Sequence, residues 1–279
     1  MRIVALADLH VGSRVALADP AISGAADMYH PVRAALFERW QAATIGPWGK
    51  PDALIVNGDI VDGRNKKKGG LGCWTTDLLE QADHAVELLK MWGAKRIYIV
   101  RGSDYHVEAD SLPVEEYVAR QLNAEEYPGQ ENVPGVHVRS GWHWYLRFEE
   151  VTFHVAHKIS VSKVFHYQST PTARQMLQAK LNDQLRGELP KHRVKIVLRA
   201  HAHYFNTVGF SGSDGFVLPC WKTLDEYMLK SGPLDISPDL GFLGFEVNGE
   251  SYRYEKNLFS LSAVQRPPLT VVGREDAAA

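Results

Sequence analysis

Cysteine is scarce in this chain: 279 residues hold two, Cys73 and Cys220, far apart and in no Cys-x-x-Cys pattern. That excludes a disulfide scaffold and fits a reducing compartment. Net charge is also nearly absent, −2 from 31 basic and 33 acidic residues, so no global field recruits nucleic acid or anionic lipid, although a local basic patch still can. No apolar run approaches the ~18 residues of a membrane span. The opening MRIVALADLH is cut short by Asp8 and His10, so no signal peptide is expected. No internal repeat and no Pro/Ser/Gly-rich linker divides the chain. The expectation is a cytoplasmic globular protein with no membrane attachment. Residues 1–265 are expected to form one domain, and RPPLTVVGREDAAA, residues 266–279, reads as a tail.

With 45% hydrophobic residues the chain can bury a large core. Short apolar or alternating runs predict strands at Arg2–Ala7, Ala53–Val56, Ile97–Val100, Val136–Val138, Trp142–Phe148, Val151–Ala156, Lys195–Leu198, Phe216–Leu218, Phe242–Val247 and Ser251–Tyr254. An Asn-Gly turn is expected between the last two. Helices are expected at Pro31–Thr44, Thr75–Trp92, Pro113–Leu122 and Pro171–Arg186. The second carries Leu78, Leu79, Ala82, Val86 and Leu89 on one face, and the last has Thr170 as its N-cap. Strands and helices alternate in the first half and strands crowd the second, an α/β pattern.

Five of these strands run into Asp or His. IVALADLH ends in Asp8 and His10, ALIVNGDIVDG in Asn57, Asp59 and Asp62, and IYIVRGSDYH in Ser103, Asp104 and His106. VTFHVAHK ends in His157, and VKIVLRAHAH in His201 and His203. In α/β sheets the crevice beyond the carboxyl ends of the strands is where ligands bind. A lone Asp after a strand is usually a turn residue, and a lone His usually a hydrogen-bonded one; His30, His84, His137, His143, His154, His166 and His192 are read that way. Five strand ends in series exceed coincidence. Mixed carboxylate and imidazole ligands suit Mn, Fe or Zn better than Ca or Mg. The ligands on offer exceed the needs of one ion, and two ions bridged by a carboxylate suit phosphoester hydrolysis.

These residues resemble the calcineurin-like metallophosphoesterases, whose blocks run DxH, GDxxD, GNH(D/E), a lone His and GHxH. Here they read Asp8-Leu-His10, Gly58-Asp59-Ile-Val-Asp62, Gly102-Ser103-Asp104-Tyr105-His106, His157, and Ala200-His201-Ala-His203, in family order from residue 8 to 203. The resemblance implies a four-layer αββα sandwich of two mixed sheets flanked by helices. It implies two divalent metal ions, with manganese expected to support activity in vitro. Asp8, His10 and His203 would hold one ion, Asp59 would bridge, and His157 and His201 would hold the second. The third block lacks the family asparagine, and its histidine lies two positions further on. Ser103 or Asp104 is expected to supply the missing oxygen and His106 to protonate the leaving group. The RGSxxH form is similar to a variant block of phage and prophage members.

Arg64, Lys66, Lys67 and Lys68 follow the second block, and Lys158 and Arg199 flank the later histidines. These six are the candidate phosphate contacts. Trp142, Trp144 and Tyr145 are expected to pack within the sandwich. The expected function is a phosphodiesterase acting on nucleic acid or nucleotide. The alternatives are a phosphomonoesterase, or a catalytically idle metal-binding module that recognises a phosphate ligand or a protein partner.

Overall fold

The computed structural model describes residues 1–24, 27–65, 69–103, 108–109, 112–128, 137–162, 164–187, 193–210, 212–225 and 238–261. Lys66, Lys67, Lys68, Asp104, His106 and the tail 266–279 lie outside these.

In chain order the elements are β1 (Arg2–Leu6), α1 (His30–Ile45), β2 (Ala53–Asn57), α2 (Leu78–Lys90), β3 (Ile97–Val100), the short pair β4 (Glu108–Ala109) and β5 (Leu112–Pro113), and α3 (Val114–Gln121). Then come β6 (Ser140–Gly141), β7 (His143–Phe148), β8 (Val151–Ala156), α4 (Ser169–Leu185), β9 (Val194–Arg199), β10 (Asn206–Phe210), β11 (Ser213–Val217), β12 (Leu240–Asn248) and β13 (Ser251–Phe259). One sheet has the order β13-β12-β1-β2-β3-β6, with β1, β2, β3 and β6 parallel and the β12–β13 hairpin antiparallel. The second has the order β10-β11-β9-β8-β7, with β8, β9 and β11 parallel.

Alternation along β1 and β2 decides the layering. Ile3, Ala5, Ala53 and Ile55 face Phe153, Ile196, Leu198 and Phe216 of the second sheet. Val4, Leu6, Leu54 and Val56 face the opposite way, onto α1, α2 and α3. Met176 and Ala179 of α4 cover the outer side of the second sheet at Val194 and Val197. The result is the four-layer αββα sandwich. Trp40, Trp92 and Trp221 are all fully buried on the helical side, with Trp40 edge-on to the other two.

Several local expectations shift. The α2 N-cap is Asp77, whose carboxylate accepts from Leu79 N and Glu80 N, and Leu79 is 47% exposed because it lies off the apolar stripe. Helix α4 begins a residue earlier than Thr170, which is therefore inside it. Of the strand expected at Val136–Val138, Val136 lies outside the described residues and His137 and Val138 are not extended into a sheet; the strand next to β3 is Ser140–Gly141. β10 was not anticipated; its residues are half-exposed or exposed, so no apolar run marks it. The last hairpin closes through Gly249-Glu250, with positive φ at Gly249 alone, the pattern of a II′ rather than a I′ loop.

Candidate metal centre

The loops that leave β1 and β2 are tied together before any side chain is considered. Asp8 N donates to Gly58 O (3.0 Å), His10 N to Asp59 O (2.9 Å) and Val11 N to Ile60 O (2.9 Å). The loops after β8 and β9 join through Ala200 N to His157 O (2.9 Å), and His201 N donates to Asp8 Oδ2 (3.0 Å), which links the two sheets. Asp8, His10, Asp59, His201 and His203 all have φ between 48° and 72°. That left-handed conformation costs a non-glycine residue on the order of 1–3 kcal/mol and persists only where surrounding bonds impose it. Five such residues, where the strand ends of the two sheets meet, mark a functional site.

The side chains form two largely buried groups, Asp8 with His10 and His203, and Asp59 with His157 and His201, the last histidine of each being half-buried. In the first, Asp8 Oδ1 lies 3.3 Å from His203 Nε2 and 3.8 Å from His10 Nε2, and the two imidazole nitrogens are 3.1 Å apart. In the second, Asp59 Oδ2 lies 3.1 Å from His157 Nε2 and 3.8 Å from His201 Nδ1. The groups adjoin, with His157 Nε2 3.9 Å from Asp8 Oδ1. Both of those atoms are buried and make no well-aligned hydrogen bond, their near neighbours being the carboxylate and imidazole atoms of the two groups. Buried polar atoms are nearly always satisfied, so atoms aimed at a common point without bonds fit ligands for a cation. His157 Nδ1 donates to Asn57 O (2.7 Å) and His10 Nδ1 to Asp62 Oδ1 (3.0 Å), so each ring turns Nε2 toward its group.

The electrostatics agree. Burial alone would lower His157, but attraction by Asp59 and then Asp8 pushes it up to about 10. Burial and Lys222 lower His10, but Asp62 and Asp8 prevail and its pKa is raised. Burial favours neutral Asp8, yet His203, His10 and His157 hold it well below the usual carboxylate range. Burial lowers His203 in spite of Asp8, so the carboxylates draw protons chiefly onto His157 and His10, where a divalent ion would supply the positive charge instead.

Other expected residues occupy particular places. Ser103 donates to Asp59 through both N (2.7 Å to Oδ1) and Oγ (2.9 and 3.0 Å), so its hydroxyl reaches the second group by way of that carboxylate. A Cβ on Gly102 would sit 2.2 Å from Asp59 N, which explains the glycine. A cavity of about 430 Å³ opens beside Ser103 and His157 and is also lined by Lys158 and Arg199. Arg199 is 2% exposed, and its donors bond to Gln175, His154 and Leu198, leaving a fixed charge there rather than a hand for ligand. Arg64 is exposed on the loop after Asp62 and does not line this cavity. A larger cavity of about 760 Å³, near Phe210 and Tyr252, contains none of these residues. Of the aromatic trio, Trp144 packs inside, but Trp142 and Tyr145 are 38% and 48% exposed, which corrects the expectation for both. They stand on the strand face opposite Trp144 or beyond its end.

Two residues escaped the sequence reading. Glu115, buried in the first turn of α3, accepts from Ile60 N (3.0 Å) and Gly102 N (2.6 Å), tying the second and third blocks together. Burial, then repulsion from Asp59, raises its pKa to about 7. Lys222 is buried with Nζ 2.9 Å from Asp62 Oδ1, behind His10. Neither lies in a motif; acidic residues at a helix start read only as dipole partners.

The family model for calcineurin-like phosphoesterases matches residues 1–205. The chain belongs to that family. Members are metal-dependent phosphoesterases, and in this calcineurin-like protein the two ligand groups provide two candidate divalent-metal positions. Among solved structures, it is similar to zinc-bound Vps29 from Entamoeba histolytica at 12% identity, covering 93% of this chain and 100% of that one, TM-score 0.43. Vps29 from Chaetomium thermophilum gives 12%, 93%, 98% and 0.44, and an archaeal phosphodiesterase 10%, 92%, 100% and 0.43. No curated protein matches the sequence. Among the described residues no helix is long and apolar enough to cross a membrane.

Proposed function

We propose that this chain is a two-metal phosphodiesterase that cleaves a nucleic acid or nucleotide, with manganese supporting turnover. The observation that carries the reading is the meeting of two largely buried Asp/His groups, with Asp8 Oδ1 and His157 Nε2 3.9 Å apart. Asp8, His10 and His203 would hold one cation, His157 and His201 the other, with Asp59 between them and Ser103 or Asp104 completing the second. Bound there, the cations supply Lewis-acid activation of the phosphoryl group and of the attacking water.

The chain's own residues do the rest. Asp62 fixes the His10 ring and Asn57 the His157 ring, so both present an unprotonated Nε2 once a cation displaces the proton. Ser103 pins the Asp59 carboxylate through two donors. His106 is the proton donor to the departing oxygen. Lys158 lines the cavity beside the centre and contacts phosphate, Arg199 adds fixed positive charge behind it, and Arg64 with Lys66, Lys67 and Lys68 holds a longer polyanion.

The test is hydrolysis of bis-p-nitrophenyl phosphate against p-nitrophenyl phosphate, with Mn²⁺, Fe²⁺ or Zn²⁺ added to metal-stripped protein. Faster diester hydrolysis with Mn²⁺ supports the reading. A faster monoester makes it a phosphomonoesterase, and no turnover with any metal makes it a module that binds phosphate without cleaving it.

A further inference from the structure

The 430 Å³ cavity beside the candidate metal centre has a composition that ester hydrolysis at the metal centre does not by itself require. Its size falls within the roughly 300–1,000 Å³ of small-molecule sites. One wall, Ser103 and His157, belongs to the Asp59–His157–His201 side of the centre. The remaining wall carries three cations, Arg101, Lys158 and Arg199, and among the described residues no Asp or Glu lines it. Lys158 is exposed and has no carboxylate within ion-pair reach among the described residues. Arg199 is buried with its donors on two carbonyls, an amide oxygen and an imidazole, so among the described residues its charge faces no carboxylate. Burying a cation without a counter-charge is unfavourable, and an anion entering the cavity would supply one. Arg101 Nε donates to Ser140 Oγ, one of its Nη atoms lies 4.0 Å from Glu116 Oε2 behind the wall, and its guanidinium lies 5.7 Å from the centre of the Trp142 ring. That ring lines the cavity while 38% exposed, the one of the two indoles on or next to β7 that stays out of the sandwich core.

A cationic lining with no acid in it, and an exposed indole backed by a guanidinium, are what a nucleotide meets on nucleic-acid-binding surfaces: phosphate on Arg and Lys, base on an aromatic face. We propose that this cavity holds the nucleotide unit next to the scissile phosphoryl group, its second phosphate on Arg101 and Lys158 and its base against Trp142. The inference rests on the adjoining centre being where the phosphoryl group sits. It selects a ligand with two phosphates on one nucleoside over a simple monoester or diester.

Binding separates this from catalysis. Mn²⁺-loaded protein is titrated calorimetrically with thymidine 3′,5′-bisphosphate, thymidine 5′-monophosphate and deoxyribose 5-phosphate, and the ligands are shown intact afterwards by chromatography. The bisphosphate should bind roughly tenfold or more tighter than the monophosphate, the scale of one charge-assisted contact. Lys158→Ala and Arg101→Ala should each bring that ratio toward one. Trp142→Ala should lower the preference for the monophosphate over the abasic sugar phosphate on the order of tenfold, and Trp142→Phe should restore most of it. Equal binding of bisphosphate and monophosphate by the wild type overturns the proposal, even if bis-p-nitrophenyl phosphate is turned over and the hydrolase reading stands. A bisphosphate preference that Lys158→Ala abolishes supports it, even in a protein that hydrolyses nothing; in that case the hydrolase reading alone fails.

Discussion

Replacing Glu115 by Gln tests the electrostatics of the centre without touching a candidate ligand. Glu115 accepts one backbone N–H on each carboxylate oxygen, from Ile60 and Gly102, and lies close enough to Asp59 to be repelled by it. Its pKa rises from 4.5 to about 7 in the folded protein, burial first and Asp59 second. A raised folded-state value means that the native state holds the proton more tightly than the unfolded chain. The associated stability is fully present below 4.5 and is lost as pH rises through about 7. Between pH 5 and pH 8 that amounts to about 2.5 kcal/mol. Gln cannot titrate, so the stability difference between wild type and Glu115→Gln should shrink or invert by about this amount between those pH values. Other groups titrate in both proteins and cancel in the difference, provided the sites are independent. Urea denaturation of the metal-free proteins at pH 5 and pH 8 measures it. A difference that stays constant with pH would refute the argument, because Glu115 would then be ionised throughout.

Other outcomes follow from the site. Asp59→Asn should lower bound metal, measured by atomic emission after dialysis, and abolish ester hydrolysis, since a neutral amide bridges two cations poorly; full occupancy with wild-type rates would remove Asp59 from the centre. His106→Ala should slow esters with poor leaving groups by about 10²–10⁴ and p-nitrophenyl esters far less, with metal content retained; loss of a metal would make His106 a ligand instead. Changing Lys66, Lys67 and Lys68 together to Ala should weaken binding of an oligonucleotide and flatten its salt dependence. An equal loss on small chromogenic esters would point to a folding role for that loop.

The chain's periodicity already contains the strands and the polar residues that end them. β3 is found at Ile97–Val100 as read, and β1, β2 and β8 depart by a residue or not at all, because a strand buried on both faces is a nearly continuous apolar run, Thr152 and His154 being the exceptions in β8. For the same reason Asp8, Asp59, His157 and His201 are visible as the points where each run breaks into polar side chains. The edges are different. β10 shows no run because its residues are largely exposed, and β6 is only two residues long. What no local pattern contains is which strand ends meet: His10 and His203 touch across 193 residues because β1 and β9 belong to different sheets facing each other. Glu115, Lys222 and the uncompensated charge of Arg199 are of the same kind. Each is an ordinary charged residue in sequence, and its role comes from burial and from the partners that tertiary packing brings within reach. Trp142 and Trp144 make the point most simply. Two positions apart, one lines a cavity and the other fills the core, and only the end of β7 against its neighbours decides between them.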